Sequence, residues 1–183
     1  MRTIRLLPIF LISVMASSAM LWGQNTYVPD DNFEQALIDL GYDDTLDDYV
    51  LTANISSVTS LDVEAKGISD LTGIEGFTAL TFLHCQNNQL TTLDMSSNTA
   101  LDNLSTGNNQ LTSLDLSANT ALTYLDVHNN QLTSFDVSAN TALTELQCSD
   151  NPFTSLDLSG NTALTLLRVA VYCYQPRTID FLK

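Results

Sequence analysis

The sequence predicts a solenoid: an arc or horseshoe of stacked coils with short parallel strands on the concave side, a mostly irregular convex side and a small amino-terminal helical cap. Three observations lead there. Leucine-spaced phrases recur from Val58 to Leu164, first after 22 residues and then after every 21. A polar phrase, L-T-S-[LF]-D-[LV]-S-A-N-T-A-L, returns almost verbatim at residues 111–122 and 132–143. Between the copies, "TYLDVHNNQ" keeps the leucine beat while its polar letters change. Self-similarity at a fixed period of this length is the mark of an array in which no unit buries its apolar face alone.

The chain of 183 residues opens with "MRTIRLLPIFLISVMASSAMLWGQ". Arg2 and Arg5, an apolar run from Ile4 to Met15 and small residues at 16–19 have the layout of a secretory signal peptide, assigned to residues 1–23. The run is short for a bilayer-spanning helix, so no membrane insertion is expected once the signal is cleaved. No cysteine lies near the cleavage region, which argues against a lipid anchor. Removing the leader takes two of the six basic residues and none of the 21 acidic ones, leaving four against 21, a net charge of −17. Such a chain repels nucleic acid and anionic lipid. Neutral glycans, proteins with basic patches and cations remain as partners.

Residues 24–57 are expected to form the cap. "PDDNFEQALIDLGY" reads as a short helix begun by Pro29 or Asp30, with Asp30, Asp31 and Glu34 suited to its positive end. Phe33, Leu37 and Leu40 fall on one face, and Gly41 stops it. The loop after it carries Asp43, Asp44, Asp47 and Asp48. Dense carboxylates can hold calcium, but the spacing is not that of an EF-hand loop, and a solvated acidic loop is the expectation. No cofactor is assigned.

Residues 58–183 hold about six repeats, starting at Val58, Leu80, Leu101, Leu122, Leu143 and Leu164. Counting each start as position 0, apolar residues recur at positions 0, 3, 5, 10, 13 and 15, and asparagine at position 8 (Asn88, Asn109, Asn130). The pattern L-x-x-L-x-[LVC]-x-x-N-x-L is the leucine-rich repeat signature. Positions 3 and 5 point inward and 2, 4 and 6 outward from one short strand. The asparagine amide can donate and accept where the chain leaves that strand. A second asparagine (Asn98, Asn119, Asn140, Asn161) is expected to tie the turn of the near-invariant half on the return side. The last unit starts on pattern and then slips, with Pro176 and two extra residues displacing Ile179 and Asp180 from the beat; this reads either as a degenerate terminal repeat closing the stack or as the end of a truncated relative of a longer protein.

"LDVEAKGISDLTGIEGFTALTFLHCQNNQL" resembles bacterial leucine-rich repeat proteins of the internalin-like kind, which are secreted or displayed at the cell surface. The lead-in "YVPDDNFEQALIDLGYDD" is similar to that of such repeat proteins from outer-membrane bacteria. The resemblance runs from about Tyr27 to Leu167. It implies an arc fold and a role in binding or adhesion, and brings no catalytic residue.

Enzymatic chemistry has no support in the motifs: G-x-S-x-G, H-E-x-x-H and phosphate-cradling glycine loops are absent. Cys85 and Cys148 share position 5, roughly 14 Å apart at ladder spacing, beyond the ~7 Å Cα reach of a disulfide. They and Cys173 are expected as free thiols. His84 and His128 lie roughly 10 Å apart, too far to share a zinc ion held at ~2.1 Å. The outward face of the strands is the candidate ligand surface, with Phe82, His84, Gln86, Asn103, Tyr124, Asp126, His128 and Glu145 as its residues. Aromatic platforms among polar hooks suit a protein or polysaccharide ligand. The protein is expected to act as a monomer. The competing reading is a structural envelope or matrix protein. In it the aspartates of position 14 (Asp94, Asp115, Asp136, Asp157) form a like-charge column that hydrogen bonds or cations must offset.

Overall fold

The computed structural model describes residues 24–169 and 180–182. The leader, Cys173 and Pro176 therefore lie outside the described residues. The chain opens with β1 (Asn25–Tyr27), α1 (Asp31–Asp39), β2 (Tyr49–Leu51) and the short α2 (Thr52–Ile55). The coils then contribute β3 (Ser60–Asp62), β4 (Phe82–His84), β5 (Asn103–Ser105), β6 (Tyr124–Asp126), β7 (Glu145–Gln147), β8 (Ser155–Asp157), β9 (Leu166–Arg168) and β10 (Asp180–Leu182).

Six of these strands form one parallel sheet in the order β3-β4-β5-β6-β7-β9. Its register pairs Leu61, Leu83, Leu104, Leu125, Leu146 and Leu167 across successive coils, one residue per coil at position 3. The expected solenoid is thus present. Its core is the stack of inward residues: Leu80, Leu83, Leu90, Leu101, Leu104, Leu122, Leu125 and Leu143 are fully buried. Position 5 is less uniform than the leucine columns, for Thr106 sits buried between Cys85 and Val127.

Both asparagine columns do what their chemistry suggests. Asn109 Nδ2 donates to the carbonyls of Cys85 and Thr106 at 3.0 Å each, and its Oδ1 accepts from Leu90 N at 3.0 Å. Asn88 and Asn130 repeat the arrangement. On the return side, Asn140 Nδ2 donates to Leu116 O at 3.1 Å and to Asn119 O at 2.9 Å, and Asn119 and Asn161 are bonded in the same way. Each amide therefore ties its own coil to the one before it. In the repeated phrase the leucines are buried in the stack and the asparagine bonds the coil before it.

The sequence gives no direct sign of one backbone feature. Position 7 adopts the left-handed conformation in five coils, at Ala65, Asn87, Asn108, Asn129 and Asp150, with φ between 50° and 59°. Asparagine and aspartate tolerate this region better than most residues. The doublet "NN" thus joins a left-handed corner to a bonded amide.

The cap differs from expectation in two places. Helix α1 ends at Asp39, so Leu40 is the C-cap and stays exposed instead of joining Phe33 and Leu37 in the core. Glu34, expected at the open positive end of the helix, is wholly buried. Its Oε1 accepts from the backbone N–H groups of Asp47 at 2.9 Å and Tyr49 at 3.0 Å, tying the helix to the hairpin β1-β2. The N-cap is Asp30, whose Oδ1 accepts from Asn32 N and Phe33 N at 3.0 Å each.

At the far end β10 pairs in parallel with β8, setting Phe181 opposite Leu156. Phe181 thus holds position 13, which the 21-residue period assigns to Arg177. The displacement is four residues, larger than the two expected.

Candidate functional site

The outward residues of the sheet form three columns on one face. At position 2 stand Ser60, Phe82, Asn103, Tyr124, Glu145 and Leu166, paired strand to strand. Phe82, His84, Gln86, Asn103, Tyr124, His128 and Glu145 are all partly exposed. Asp126 is not: it is 5% exposed. Ser105 of the same column is buried too. The centre of the face is thus lower and more enclosed than an open strand surface, and Asp126 acts through its neighbour.

That neighbour is His128. Its Nδ1 lies 2.7 Å from Asp126 Oδ1, which also accepts from His128 N at 3.0 Å. The other ring nitrogen, Nε2, faces Asn108 Nδ2 at 3.0 Å, and Asn129 Nδ2 donates to Asn108 Oδ1 at 2.7 Å. An amide donor at Nε2 requires the tautomer with its proton on Nδ1, donated to Asp126. The ring lies over Gly107, where an added Cβ would fall 2.2 Å from the imidazole. Gly107 is what gives His128 its seat. Sequence reading named Asp126 and His128 but not Gly107, Asn108 or Asn129. Their signal is the glycine at position 6 one coil before the histidine.

Two further clusters flank this network. Phe82 stacks on His84 with ring centroids 4.2 Å apart. Beside them, Glu64 accepts from Asn87 Nδ2 at 2.8 Å. Bonds from Gln86 and Asn87 hold the Glu64 carboxyl below its usual range, with a smaller contribution from His84. On the other side Gln147 Nε2 donates to the Tyr124 hydroxyl at 3.0 Å and to Glu145 Oε1 at 3.1 Å. Burial, then the charges of Asp126 and Glu145, push the Tyr124 phenol up. The predicted residues thus fall in three clusters along one face, except Asn103, whose buried Oδ1 has no hydrogen-bond partner.

Cys85 and Cys148 are free and buried. Burial pushes each thiol up to about 12, so neither is a nucleophile. Among the described residues no three His, Cys, Asp or Glu side chains are grouped as a metal site, and no helix is long and apolar enough to cross a membrane. On the return side the aspartates of position 14 each accept from the backbone N–H of the serine two residues on, at 2.8–2.9 Å. Those bonds, then the serine side chains, hold the carboxyls below their usual range. These hydrogen bonds offset the like charges of the column.

A parallel sheet built one strand per coil, with an asparagine at the strand exits, is the architecture of a leucine-rich repeat solenoid, and the proteins it is similar to include internalins. No family model matches the chain. A stretch of 75 residues, 41% of the chain, is 43% identical to internalin J of Listeria monocytogenes serotype 4b and covers 8% of that protein. The solved functional domain of the Listeria monocytogenes protein InlJ, described as including a cysteine ladder, superimposes with a TM-score of 0.74. It is 42% identical and is matched over 80% of this chain and 33% of its own. An internalin of the same organism, InlF, matches with a TM-score of 0.68 and 27% identity over 78% of this chain and 44% of its own. The chain thus spans less than half the length of the relatives it matches.

Proposed function

We propose that the protein is an extracellular recognition or adhesion module that binds a protein or polysaccharide ligand on its concave strand face. The observation that carries this reading is the division of labour within each coil. Residues that stack are buried and repeat, whereas the outward strand residues vary from coil to coil, and several of them, among them Asp126, His128, Tyr124 and Gln147, are held by side-chain bonds. Rigid aromatic side chains on a fixed backbone lose little entropy on binding, which suits Phe82 and Tyr124 to the role of anchors. The relatives' class, secreted or cell-surface repeat proteins, supports the same reading.

The test is Phe82→Ala with Tyr124→Ala, probed on arrays of host proteins and of glycans. A loss of tenfold or more with an unchanged circular dichroism spectrum is expected. A folded double variant that binds as the parent does removes this face as the site. The structural-protein reading is weakened by the return side, where serine N–H groups already offset the aspartate column.

A further inference from the structure

We propose a second docking surface, on the return side of the first three coils, that takes a short extended segment of a basic protein. The alkyl stems of its lysines or arginines lie on leucine and their charged heads meet fixed carboxylates. This surface is separate from the concave strand face and does not rest on that face binding a ligand. Leu71, Leu93 and Leu114 hold position 13 in successive coils and, with Ile74, form the apolar part of a cavity of about 800 Å³. Leu93 is half-buried, so the floor is open to a ligand. In the following coil Phe135 takes position 13 and lies outside the lining. The charged residues of the lining are Asp70, Glu75, Asp94 and Asp115, with no basic side chain among them.

Each of the four carboxylates has one oxygen committed to the chain's own backbone. Asp70 Oδ1 accepts from Thr72 N and Thr72 Oγ1 at 2.8 Å each, and Glu75 Oε2 accepts from Gly73 N at 2.8 Å. The Oδ1 atoms of Asp94 and Asp115 accept from Ser96 N and Ser117 N at 2.9 Å each. These bonds fix the heads, and the second oxygen of each makes no backbone bond and is left for a ligand. The described ion pairs, Lys66 with Asp39 and His128 with Asp126, involve none of the four. Backbone and then side-chain bonds from Ser96 outweigh burial and the charge of Asp115 in holding the Asp94 carboxyl below its usual range. A cation beside the two aspartates relieves that repulsion, which a neutral ligand does not. Among the described residues no three such side chains are grouped to share a metal ion, so separate cationic heads carried on one chain fit better than a single ion. Lysine and arginine suit the floor as well, because their stems cover apolar surface while their heads stay at the rim. At roughly 4.8 Å per coil, three coils span about 10 Å, the length of about three extended residues.

The experiment follows a fluorescent peptide of alternating lysine and serine by anisotropy with the full chain, at physiological ionic strength so that long-range attraction is screened. Two paired variants carry the same change of charge. Asp94→Asn with Asp115→Asn lies in the cavity, whereas Asp136→Asn with Asp157→Asn lies in the same column beyond it. Asparagine keeps the oxygen that accepts from serine N–H, so both pairs retain the turn. The first pair is expected to weaken binding about tenfold or more and the second less than about threefold. Leu93→Lys, which sets a cation in the groove, should weaken it as the first pair does. Equal losses in the two pairs overturn the proposal, because the peptide would then be responding to net charge alone. A parent that does not bind the peptide overturns it too. So does a neutral oligosaccharide, cellohexaose, that displaces the peptide from the parent, since the groove would then be a glycan site.

Discussion

Asn119 shows how much a single side chain carries in this fold. Its Nδ2 donates to Met95 O at 3.0 Å and Asn98 O at 2.9 Å, both in the preceding coil, and the residue is fully buried. Alanine removes the second donor from two buried carbonyls, which keep only the backbone bonds from Asn98 N and Leu101 N, and the two lost bonds cost roughly 1–3 kcal/mol. Urea unfolding of Asn119→Ala should show that loss, while Ser117→Ala, on the exposed side of the same turn, should cost far less. The need for an asparagine here was legible from its recurrence at Asn98, Asn119, Asn140 and Asn161. The left-handed corner at Asn87, Asn108 and Asn129 was not, because an asparagine in a doublet reads equally well as a turn residue. The Asp126–His128 pair was missed for another reason. It depends on the side chain that Gly107 lacks, a property of the adjacent coil and not of the histidine's own.

Among the elements, α1 is held by one polar residue as well as by its apolar face, in which Phe33 and Leu37 are fully buried. Asp30 caps the helix through Oδ1 and, through Oδ2, accepts from Ser69 N at 2.9 Å, Ser69 Oγ at 2.7 Å and Asp70 N at 3.0 Å in the first coil. Burial works against its charge, but the bonds from Ser69, Phe33 and Asp70 outweigh it and hold the carboxyl below its usual range. A folded pKa below the unfolded one gives stability that is present above the ordinary value, 3.8, and lost as the pH falls through the folded value. Asp30→Ala should therefore lower Tm at neutral pH, with roughly 1–2 kcal/mol from the cap alone. The gap to the parent should narrow as the pH is taken below the ordinary aspartate value, and melts across that range check both. Helix α1, the strands and the order of coils were legible because each follows from a local period. Burial of Glu34 was not, since it requires the chain to return as the hairpin β1-β2 and present Asp47 N and Tyr49 N. Leu40 shows the same limit: it keeps the helical spacing of Phe33 and Leu37, yet the helix has already ended.

For the whole molecule, the consequence of one strand per coil is that stability is close to a sum over neighbours. The bonds between coils run from each to the next, as in Asn140 to Asn119 and Asn161 to Asn140. Excising residues 122–142 removes one full period and sets Leu143 after Ala121, where Leu122 had been. Asn161 then meets the carbonyls of Leu116 and Asn119 in place of Val137 and Asn140, which are offered by the same positions of the coil. The shortened protein should fold cooperatively, with a urea m-value lower by about an eighth, since m follows the surface exposed on unfolding. Excising residues 122–139 instead removes 18 residues and puts Asn140 directly after Ala121, so the leucines after the cut no longer meet their columns. That variant should lose cooperative unfolding although it deletes less. Equal behaviour of the two would mean that the coils tolerate slippage, and the register seen from Leu61 to Leu167 would not be what holds the stack. The first excision also removes Tyr124, Asp126 and His128 together, so a folded protein that has lost ligand binding would separate the scaffold from the surface it presents.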